Sequence, residues 1–335
     1  MTTRRWILTA ISFLFAFGAS AYIIRSSWSE EGARVALPLW AHLACFAAAA
    51  IELVSRSMKI RLSAAAIRIP LDIPTALRVS LGGDFGGAIT PARSGAEPAR
   101  FVVLREFGVP TAHALVILFL ELALEMLSLG LLAVVLALAF SGSTTEVRSL
   151  VGVVAAYAAF VIGGGAIGYM SAQRWSDGPA PSWVGRLGVS QARWLHIQRS
   201  LRALRDNVAG MRHARWWVLG AALASSVLHI VVRLAVLPIV VYSLGARGAL
   251  GPLVLWPMAI TYTGVLAPAP AGGGLVEVAF RGALNDHIPA RILGAALLWW
   301  RVYTFYLPLL GGAIVTGAVV MRSLRRDAVG EMITD

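Results

Sequence analysis

The chain has 335 residues, of which 58% are hydrophobic and 14% are charged, and its mean hydropathy is +0.74. Because soluble domains carry about a quarter charged residues, this composition excludes an ordinary soluble enzyme and predicts an integral membrane protein. The formal net charge of +12 lies in short segments between apolar runs, as in membrane topology signals, and does not indicate a nucleic-acid partner.

The sequence predicts neither a cofactor nor a metal site. Cys45 is the only cysteine, which excludes an intrachain disulfide, and the six histidines are scattered singly. Phosphate-binding loops, zinc-protease motifs and serine-hydrolase elbows are absent from the sequence as well. We therefore expect no catalytic residues, and an enzymatic role remains only as an alternative.

The first two predicted spans cover residues 6–24 and 37–54. The first also resembles a cleavable signal peptide, but its long aromatic run and the many following spans favour a retained helix. The next segment is interpreted as a basic cytoplasmic loop, and its cationic residues are Arg56, Lys59, Arg61 and Arg68. By the positive-inside rule, this charge predicts a cytoplasmic N-terminus.

Residues 82–105 interrupt the apolar pattern with five glycines, two prolines and several charges. Glycine and proline break helices, and non-helical backbone is tolerated at membrane depth only where protein or a wet cavity satisfies its polar groups. We therefore predict that residues 73–105 form two half-helices that dip into the membrane, return to the cytoplasmic side and line a polar cavity.

The remaining chain predicts spans at 110–140, 150–170, 216–244 and 289–321, with a second broken stretch at 252–288. An arginine-rich insert over 171–215 gives the strongest cytoplasmic signal, and a basic tail predicts a cytoplasmic C-terminus. The predicted fold is an all-α polytopic membrane protein with about six full transmembrane helices and two re-entrant broken hairpins. These elements form a single integral membrane domain over residues 1–335.

The two broken stretches correspond in sequence, because Pro91 and Pro268 each precede a glycine by four residues. Each stretch follows two spans and ends in a proline that opens another. Segments 1–140 and 150–321 are therefore interpreted as halves of an inverted-topology repeat, a design typical of transporters. The alternative is that two glycine- and proline-rich loops resemble each other by composition alone.

The first hairpin carries a pattern suited to an anion. Arg93, Glu97 and Arg100 are spaced to share one helical face, and Ser94 has capping-box spacing to Glu97. A half-helix N-terminus between two arginines suits a phosphate, whereas Glu97 would hold the arginines or contact a cationic headgroup. The alternative is an ordinary arginine face beside lipid phosphates.

The second hairpin presents a glycine triplet, Gly272, Gly273 and Gly274, whose backbone N–H groups can bind an anion. Glu277 follows in the first turn of the next helix, where we expect it to pair with Arg281 four residues on. A tight turn with a helix cap is the alternative interpretation.

Several ionisable residues lie inside predicted spans, where a charge costs roughly 2.5–3.5 kcal/mol at mid-membrane. They are Glu121, Glu125, His229, Arg233 and Arg301. We expect these side chains to face the interior, with Glu121 or Glu125 paired to Arg301 as a gate, and a purely structural ion pair as the alternative. His229 and Arg233, four residues apart, form a weaker candidate pair. Glu52, close to a span end, is assigned no role.

Two series of residues together resemble a known family. The first is Gly82, Asp84, Phe85, Thr90, Pro91, Arg93, Gly95, Glu97, Arg100, Gly108 and Glu121, and the second is Pro268 to Gly274, Glu277, Arg301, Pro308 and Gly311. They resemble the transmembrane, flippase-like family of lysylphosphatidylglycerol synthase, over nearly the whole chain. The resemblance implies an inner-membrane protein that translocates or presents lipids with modified headgroups. The soluble aminoacyl-transferase domain of bifunctional members is not expected here.

We therefore expect a lipid flippase or transporter for a phosphate-containing or modified headgroup in the bacterial cytoplasmic membrane. The expected substrate-binding residues are Arg93, Glu97, Arg100, Thr90, Gly272, Gly273, Glu277 and Arg301, with Glu121 and Glu125 as a gate. The expected partner is a membrane phospholipid or another headgroup-bearing lipid. Two alternatives stay open: a lipid-modifying transferase with Glu97 or Glu277 as base, and a non-transporting membrane partner of a lipid-synthesis enzyme.

Overall fold

The computed structural model describes residues 18–27, 36–140, 144–177, 179, 181, 184, 190–210, 215–263 and 272–317. Throughout these residues the regular secondary structure is helical, which confirms the predicted all-α class. Some predicted features lie outside them: the beginning of the first span with its signal-peptide alternative, residues 268–271 of the second signature, and the basic C-terminal tail.

The helices have the following bounds. They are α1 over residues 18–26, α2 Leu39–Ala66, α3 Ile73–Ile89, α4 Ala96–Glu106, α5 Thr111–Ala139, α6 Thr144–Trp175, α7 Gln191–Gly210, α8 Trp216–Ser243, α9 Leu250–Thr263, α10 Leu275–Leu284 and α11 Ala290–Gly317. In the described part of the chain, α5, α8 and α11 are long and apolar enough to cross a membrane. The molecule is therefore a membrane protein, and the arrangement of six spans with re-entrant hairpins stays a prediction.

Helix α2 differs most from the sequence-based prediction. The span predicted to end near residue 54 continues for three more turns, to Ala66. Arg56, Lys59 and Arg61 therefore lie in the helix, and Arg56 and Lys59 are buried. The prediction of a basic cytoplasmic loop is wrong at these positions because acidic side chains of α3 and α5, and not water, compensate the two buried charges.

Helices α3 and α4 form the two halves of the first hairpin, as the sequence predicts, but the glycines of residues 82–87 lie inside α3 and do not break it as expected. The Asp72 side chain caps α3 by accepting a hydrogen bond from the Thr75 N–H at 3.3 Å. Helix α3 ends where Thr90 becomes extended, and Thr90 Oγ1 then accepts the N–H of Gly95 at 2.7 Å. The predicted Ser94 cap is wrong, because Gly95 is the N-cap and Ser94 Oγ donates to the Pro91 carbonyl at 2.9 Å.

Glycines let α3 and α4 approach closely, as small residues do at membrane helix interfaces. A Cβ atom on Gly83 would come within 2.5 Å of Arg100 Nε. A Cβ atom on Gly86 would come within 2.5 Å of both the Ala99 Cβ and the Gly95 carbonyl oxygen. The glycines of α3 therefore allow close packing against α4, and this packing places Arg100 of α4 in the protein interior.

The second half of the chain surrounds α8, which makes its most extensive described helix contact with α2. An apolar cluster joins these two helices to α9, α10 and α11, and its members include Cys45, Val240, Leu253, Phe280 and Trp300. Pro110 and Pro289 stand directly before α5 and α11, which confirms the predicted role of each proline in opening a long helix.

The arginine-rich insert contains helix α7, which packs back on α5 and α6. Asp177, just after α6, is 3.1 Å from Arg202 Nε and 2.5 Å from Arg205 Nη1. The hydrogen bond from Arg205 lowers the pKa of this exposed carboxyl group. These contacts are solvent-exposed ion pairs, which stabilise a fold only weakly.

Candidate functional site

Two neighbouring cavities lie between the hairpins and α8. The larger, which we call the charged cavity, has a volume of about 290 Å³. Its ionisable lining residues are Glu52, Arg56, Arg93, Glu97, Arg100, Glu125, His229, Arg233 and Tyr262. The smaller has a volume of about 40 Å³ and shares Arg93, Arg233 and Thr261 with the charged cavity. The two cavities therefore adjoin at this pair of arginines.

The smaller cavity brings residues of both hairpins together. Gly87 and Arg93 of the first hairpin line it, opposite Gly272 and Val276 of the second. Gly272 has φ +64°, which glycine adopts without strain, and its carbonyl accepts the Val276 N–H at 3.0 Å. The turn that opens α10 therefore faces the arginine-bearing turn that opens α4.

A bidentate ion pair joins α2 to α3. Arg56 Nη1 and Nη2 donate to the two Asp84 carboxylate oxygens at 2.8 and 2.5 Å. Glu52 lies one turn earlier, with Oε1 3.6 Å from Arg56 Nη1. Such a pair compensates both buried charges with matched geometry, although Arg56 Nε has no hydrogen-bond partner among the described residues. Sequence analysis missed the roles of Glu52 and Arg56, although their spacing with Lys59 predicts a polar stripe on one face of an apolar helix.

Five charged residues form a network between α2, α4 and α5, with Lys59 and Glu121 fully buried at its centre. Lys59 Nζ lies 2.8 Å from Glu121 Oε1 and 2.5 Å from Glu125 Oε2, and its side chain is 0% exposed. Arg100 Nη1 donates to Glu121 Oε2 at 2.6 Å and to Glu97 Oε1 at 2.9 Å. Three carboxylates here face two cations. The predicted pairing of Glu121 or Glu125 with Arg301 is therefore wrong.

Arg301 pairs instead with Glu277. Arg301 Nε lies 2.8 Å from Glu277 Oε1, and both side chains are buried. Glu277 Oε2 accepts the N–H of Gly274 at 2.9 Å, and Ser20 Oγ donates to Glu277 Oε1. The predicted pair with Arg281 is wrong because Arg281 points away to the exposed face of α10. Glu277 thus ties α10 to α1 and α11.

Arg93 is held less tightly than the other cations of the site. It lies in the turn before α4 with φ +52°, so it does not share a helical face with Glu97 and Arg100 as predicted. Its Nη2 is 3.9 Å from Asp84 Oδ1, and its side chain is 32% exposed. Asp84 is already paired with Arg56, so Arg93 keeps hydrogen-bonding capacity for a ligand.

Arg233 connects the two cavities to α11. Its Nη1 donates to Glu52 Oε1 at 3.3 Å and its Nη2 donates to the Thr304 carbonyl at 3.1 Å. Thr304 lies in a π-helical turn, Val302–Tyr306. Such turns change the regular backbone hydrogen bonding and are frequent at functional sites. Arg233 Nε has no hydrogen-bond partner among the described residues.

His229 lies one turn before Arg233 and lines the charged cavity. It is 3% exposed, with Nε2 3.8 Å from Glu125 Oε2. Its Nδ1 has no hydrogen-bond partner in the part of the chain that the structure describes. The weaker predicted pairing with Arg233 is replaced by this contact with Glu125. A buried imidazole with one unpaired nitrogen can accept a proton or contact a ligand in the cavity.

The structure distributes the predicted site residues over three positions. Arg93, Glu97, Arg100 and Glu125 line the charged cavity, whereas Gly272 and Arg301 line the smaller one. Glu121 and Glu277 line neither cavity and are the buried ion-pair partners of Arg100 and Arg301. Thr90 and Gly273 line neither cavity, and Thr90 instead fixes the hairpin turn. Chemically, the arrangement offers guanidinium groups to an anion and carboxylates to a cation inside an apolar protein.

A comparison with curated proteins found no match. A family model described as the lysylphosphatidylglycerol synthase TM region matches residues 7–312. The match covers most of the chain, including both hairpins and every ionisable residue of the charged cavity. The chain therefore belongs to the family of lysylphosphatidylglycerol synthase transmembrane regions.

Proposed function

We propose that this protein is a lipid flippase that binds the phosphate of a phospholipid headgroup in the charged cavity and moves that headgroup across the membrane. The observation that carries the proposal is Arg93, an incompletely paired arginine in a cavity lined by charged side chains at the junction of two glycine-rich hairpins. The proposal includes the re-entrant hairpins, the inverted repeat and the cytoplasmic termini that the sequence predicts. Family membership supports a lipid substrate but does not name one.

Arg93 and Arg233 are the residues best placed to hold the phosphate. Both line the two cavities. Arg93 has only a 3.9 Å contact with Asp84, and Arg233 Nε has no hydrogen-bond partner among the described residues. The planar guanidinium fork matches phosphate oxygens in geometry and stays charged at any physiological pH. Arg100, which the sequence pairs with Arg93, is instead engaged with Glu97 and Glu121 and serves to position the cavity wall.

The size of the charged cavity suits a headgroup and not a whole lipid. Pockets for drug-sized ligands measure ~300–1,000 Å³. The charged cavity, at about 290 Å³, lies at the lower end of this range, which leaves room for a headgroup but not for acyl chains as well. The outer face of α5 exposes large apolar side chains, among them Leu127, Leu131 and Leu138. Acyl chains can therefore stay in the bilayer against such faces while only the headgroup enters the polar path.

A translocation assay in proteoliposomes tests the proposal. Phosphatidylglycerol with a fluorophore on one acyl chain is quenched by external dithionite, and the inner-leaflet fraction becomes accessible only by translocation. We expect the wild-type protein to make nearly all fluorophore accessible, and the Arg93→Gln/Arg233→Gln double variant to act like protein-free vesicles. Arg105→Gln, an exposed arginine of the same hairpin, should match wild type.

Two results would reject the proposed function. The first is a wild-type protein that translocates no faster than protein-free vesicles of the same composition. The second is a monodisperse double variant that retains the wild-type rate, because the two arginines would then have no part in moving the headgroup.

A further inference from the structure

We infer that His229 takes up one proton each time the charged cavity binds an anionic phosphate headgroup, so that headgroup binding is coupled to proton binding. This inference rests on the proposed function and adds a second ligand, the proton, to the same site. It follows from the charge balance of the cavity together with the position of one buried imidazole.

The formal charges around the cavity cancel before any ligand binds. The cations are Arg56, Lys59, Arg93, Arg100 and Arg233, and the anions are Glu52, Asp84, Glu97, Glu121 and Glu125. With His229 neutral, the five positive and five negative charges among these residues sum to zero. An anionic ligand therefore leaves one uncompensated negative charge in a poorly solvated space, which is energetically costly.

The cancelling charges are unevenly placed. Arg56 pairs with Asp84 and Arg233 pairs with Glu52, so Arg93 is the surplus cation of the set. The surplus anion belongs to the network of Lys59 and Arg100, in which three carboxylates share two cations. A phosphate bound at Arg93 neutralises the surplus cation and leaves the surplus carboxylate without compensation.

His229 stands where the missing positive charge is needed. Its Nε2 is 3.8 Å from Glu125 Oε2, within the network that holds the surplus carboxylate. It is 3% exposed, and its Nδ1 faces no hydrogen-bond partner among the described residues although the residue lines the cavity. Protonation gives the imidazole two donors, one toward Glu125 and one free for a ligand oxygen or a water molecule.

The other ionisable groups around His229 are permanently charged or already paired. The ionisable residues that line the charged cavity beside His229 come from every neighbouring element: Glu52 and Arg56 of α2, Arg93 of the hairpin turn, Glu97 and Arg100 of α4, Glu125 of α5, Arg233 of α8 and Tyr262 of α9. Helix α11 contributes Arg301 to the smaller cavity, where it is paired with Glu277. The carboxylates that contact His229 or its network have cationic partners within 2.9 Å. Histidine is the side chain that ordinarily changes charge between pH 5 and 8.

The sign of the coupling follows from linkage. A proton on His229 adds a positive charge beside the phosphate, so proton binding and phosphate binding strengthen each other reciprocally. Affinity for the headgroup is therefore higher at low pH than at high pH. A one-proton linkage limits the slope to about tenfold in affinity per pH unit.

Isothermal titration of the full chain with dihexanoyl phosphatidylglycerol tests the inference. The phosphodiester of this soluble lipid carries one negative charge throughout pH 5–8, so the probe itself does not titrate. Titration in two buffers of different ionisation enthalpy counts the protons taken up. We expect uptake approaching one proton per lipid and an affinity that falls by up to about tenfold per pH unit. His229→Gln should abolish both, whereas His113→Gln, outside the cavity lining, should abolish neither.

The outcomes separate the inference from the proposed function. Binding without proton uptake, or an unchanged pH slope in His229→Gln, overturns the proton coupling and leaves the phosphate site standing. Failure of the wild-type protein to bind the lipid at any pH rejects the proposed function and the coupling with it. If His229→Gln does not fold, the proton count of the wild-type protein decides alone.

Discussion

Replacement of Lys59 by methionine should lower the free energy of unfolding by about 3–5 kcal/mol. The Lys59 side chain is 0% exposed and is shared between Glu121 and Glu125. Methionine nearly conserves the volume of the side chain but removes its charge. Glu121, which is buried, and Glu125, which is partly buried, then lose a common cationic partner. Removing one partner of a buried ion pair costs far more than the pair contributes to stability as a whole. Reversible denaturation by dodecyl sulfate in mixed micelles measures this loss.

Arg61→Met provides the matched control on the same helix. Arg61 is exposed, and its Nε donates to the Leu71 carbonyl at 3.1 Å. Its replacement should cost about 1 kcal/mol or less. The Lys59→Met/Glu125→Gln double variant should recover part of the loss, because one uncompensated carboxylate is then removed. Equal losses for Lys59→Met and Arg61→Met would contradict the buried network.

Replacement of Arg93 by glutamine should weaken binding of dihexanoyl phosphatidylglycerol by about 10- to 100-fold and leave the free energy of unfolding within about 0.5 kcal/mol. The side chain is 32% exposed and lies 3.9 Å from a carboxylate that Arg56 already satisfies. Little folding energy therefore depends on Arg93, whereas a bound phosphate would lose a charge-assisted contact. Calorimetric titration and micellar denaturation of the same preparation measure both quantities.

Arg105→Gln serves as the control for Arg93→Gln, because Arg105 is an exposed arginine of α4 outside the cavity lining. Its replacement should leave the affinity unchanged and should cost about 1 kcal/mol of stability or less, because its Nη1 donates to the Val109 carbonyl at 2.8 Å. A large loss of stability in Arg93→Gln would assign that arginine to the fold, and unchanged affinity would remove it from the binding site. The Lys59 and Arg93 variants thus separate two roles of charged side chains, one in folding and one in binding.

Local chemistry allowed much of the helix pattern to be predicted from the sequence. Pro110 and Pro289 mark where α5 and α11 begin, because proline cannot continue a preceding helix but fits a helix start. The break between α3 and α4 was also predictable from Pro91, which follows the end of α3. The role of the glycines was not predictable, because Gly83 and Gly86 lie inside α3 and create the close contact between the two helices instead of breaking one.

Ion-pair partners were not predictable, because they depend on contacts distant in the sequence. Sequence spacing favours Arg281 as the partner of Glu277, since the two are four residues apart on one helix. In the folded protein, the way α10 and α11 pack places Arg301, which is 24 residues away in sequence, beside the buried Glu277 side chain. Similarly, Lys59 led to the prediction of a solvent-exposed loop because water was assumed to compensate its charge. Only the fold shows that two carboxylates of α5, Glu121 and Glu125, compensate it instead.

Thiol accessibility measures most directly whether the two hairpins enclose a hydrated, phosphate-binding cavity. In a Cys45→Ala background, Thr261→Cys places one thiol where the two cavities adjoin, and Leu127→Cys places one on the exposed apolar face of α5. A charged, membrane-impermeant thiol reagent should modify Thr261→Cys, more slowly with dihexanoyl phosphatidylglycerol present, and should leave Leu127→Cys unmodified. An inert Thr261→Cys, or a modification rate that the lipid leaves unchanged, would contradict the cavity and its proposed ligand.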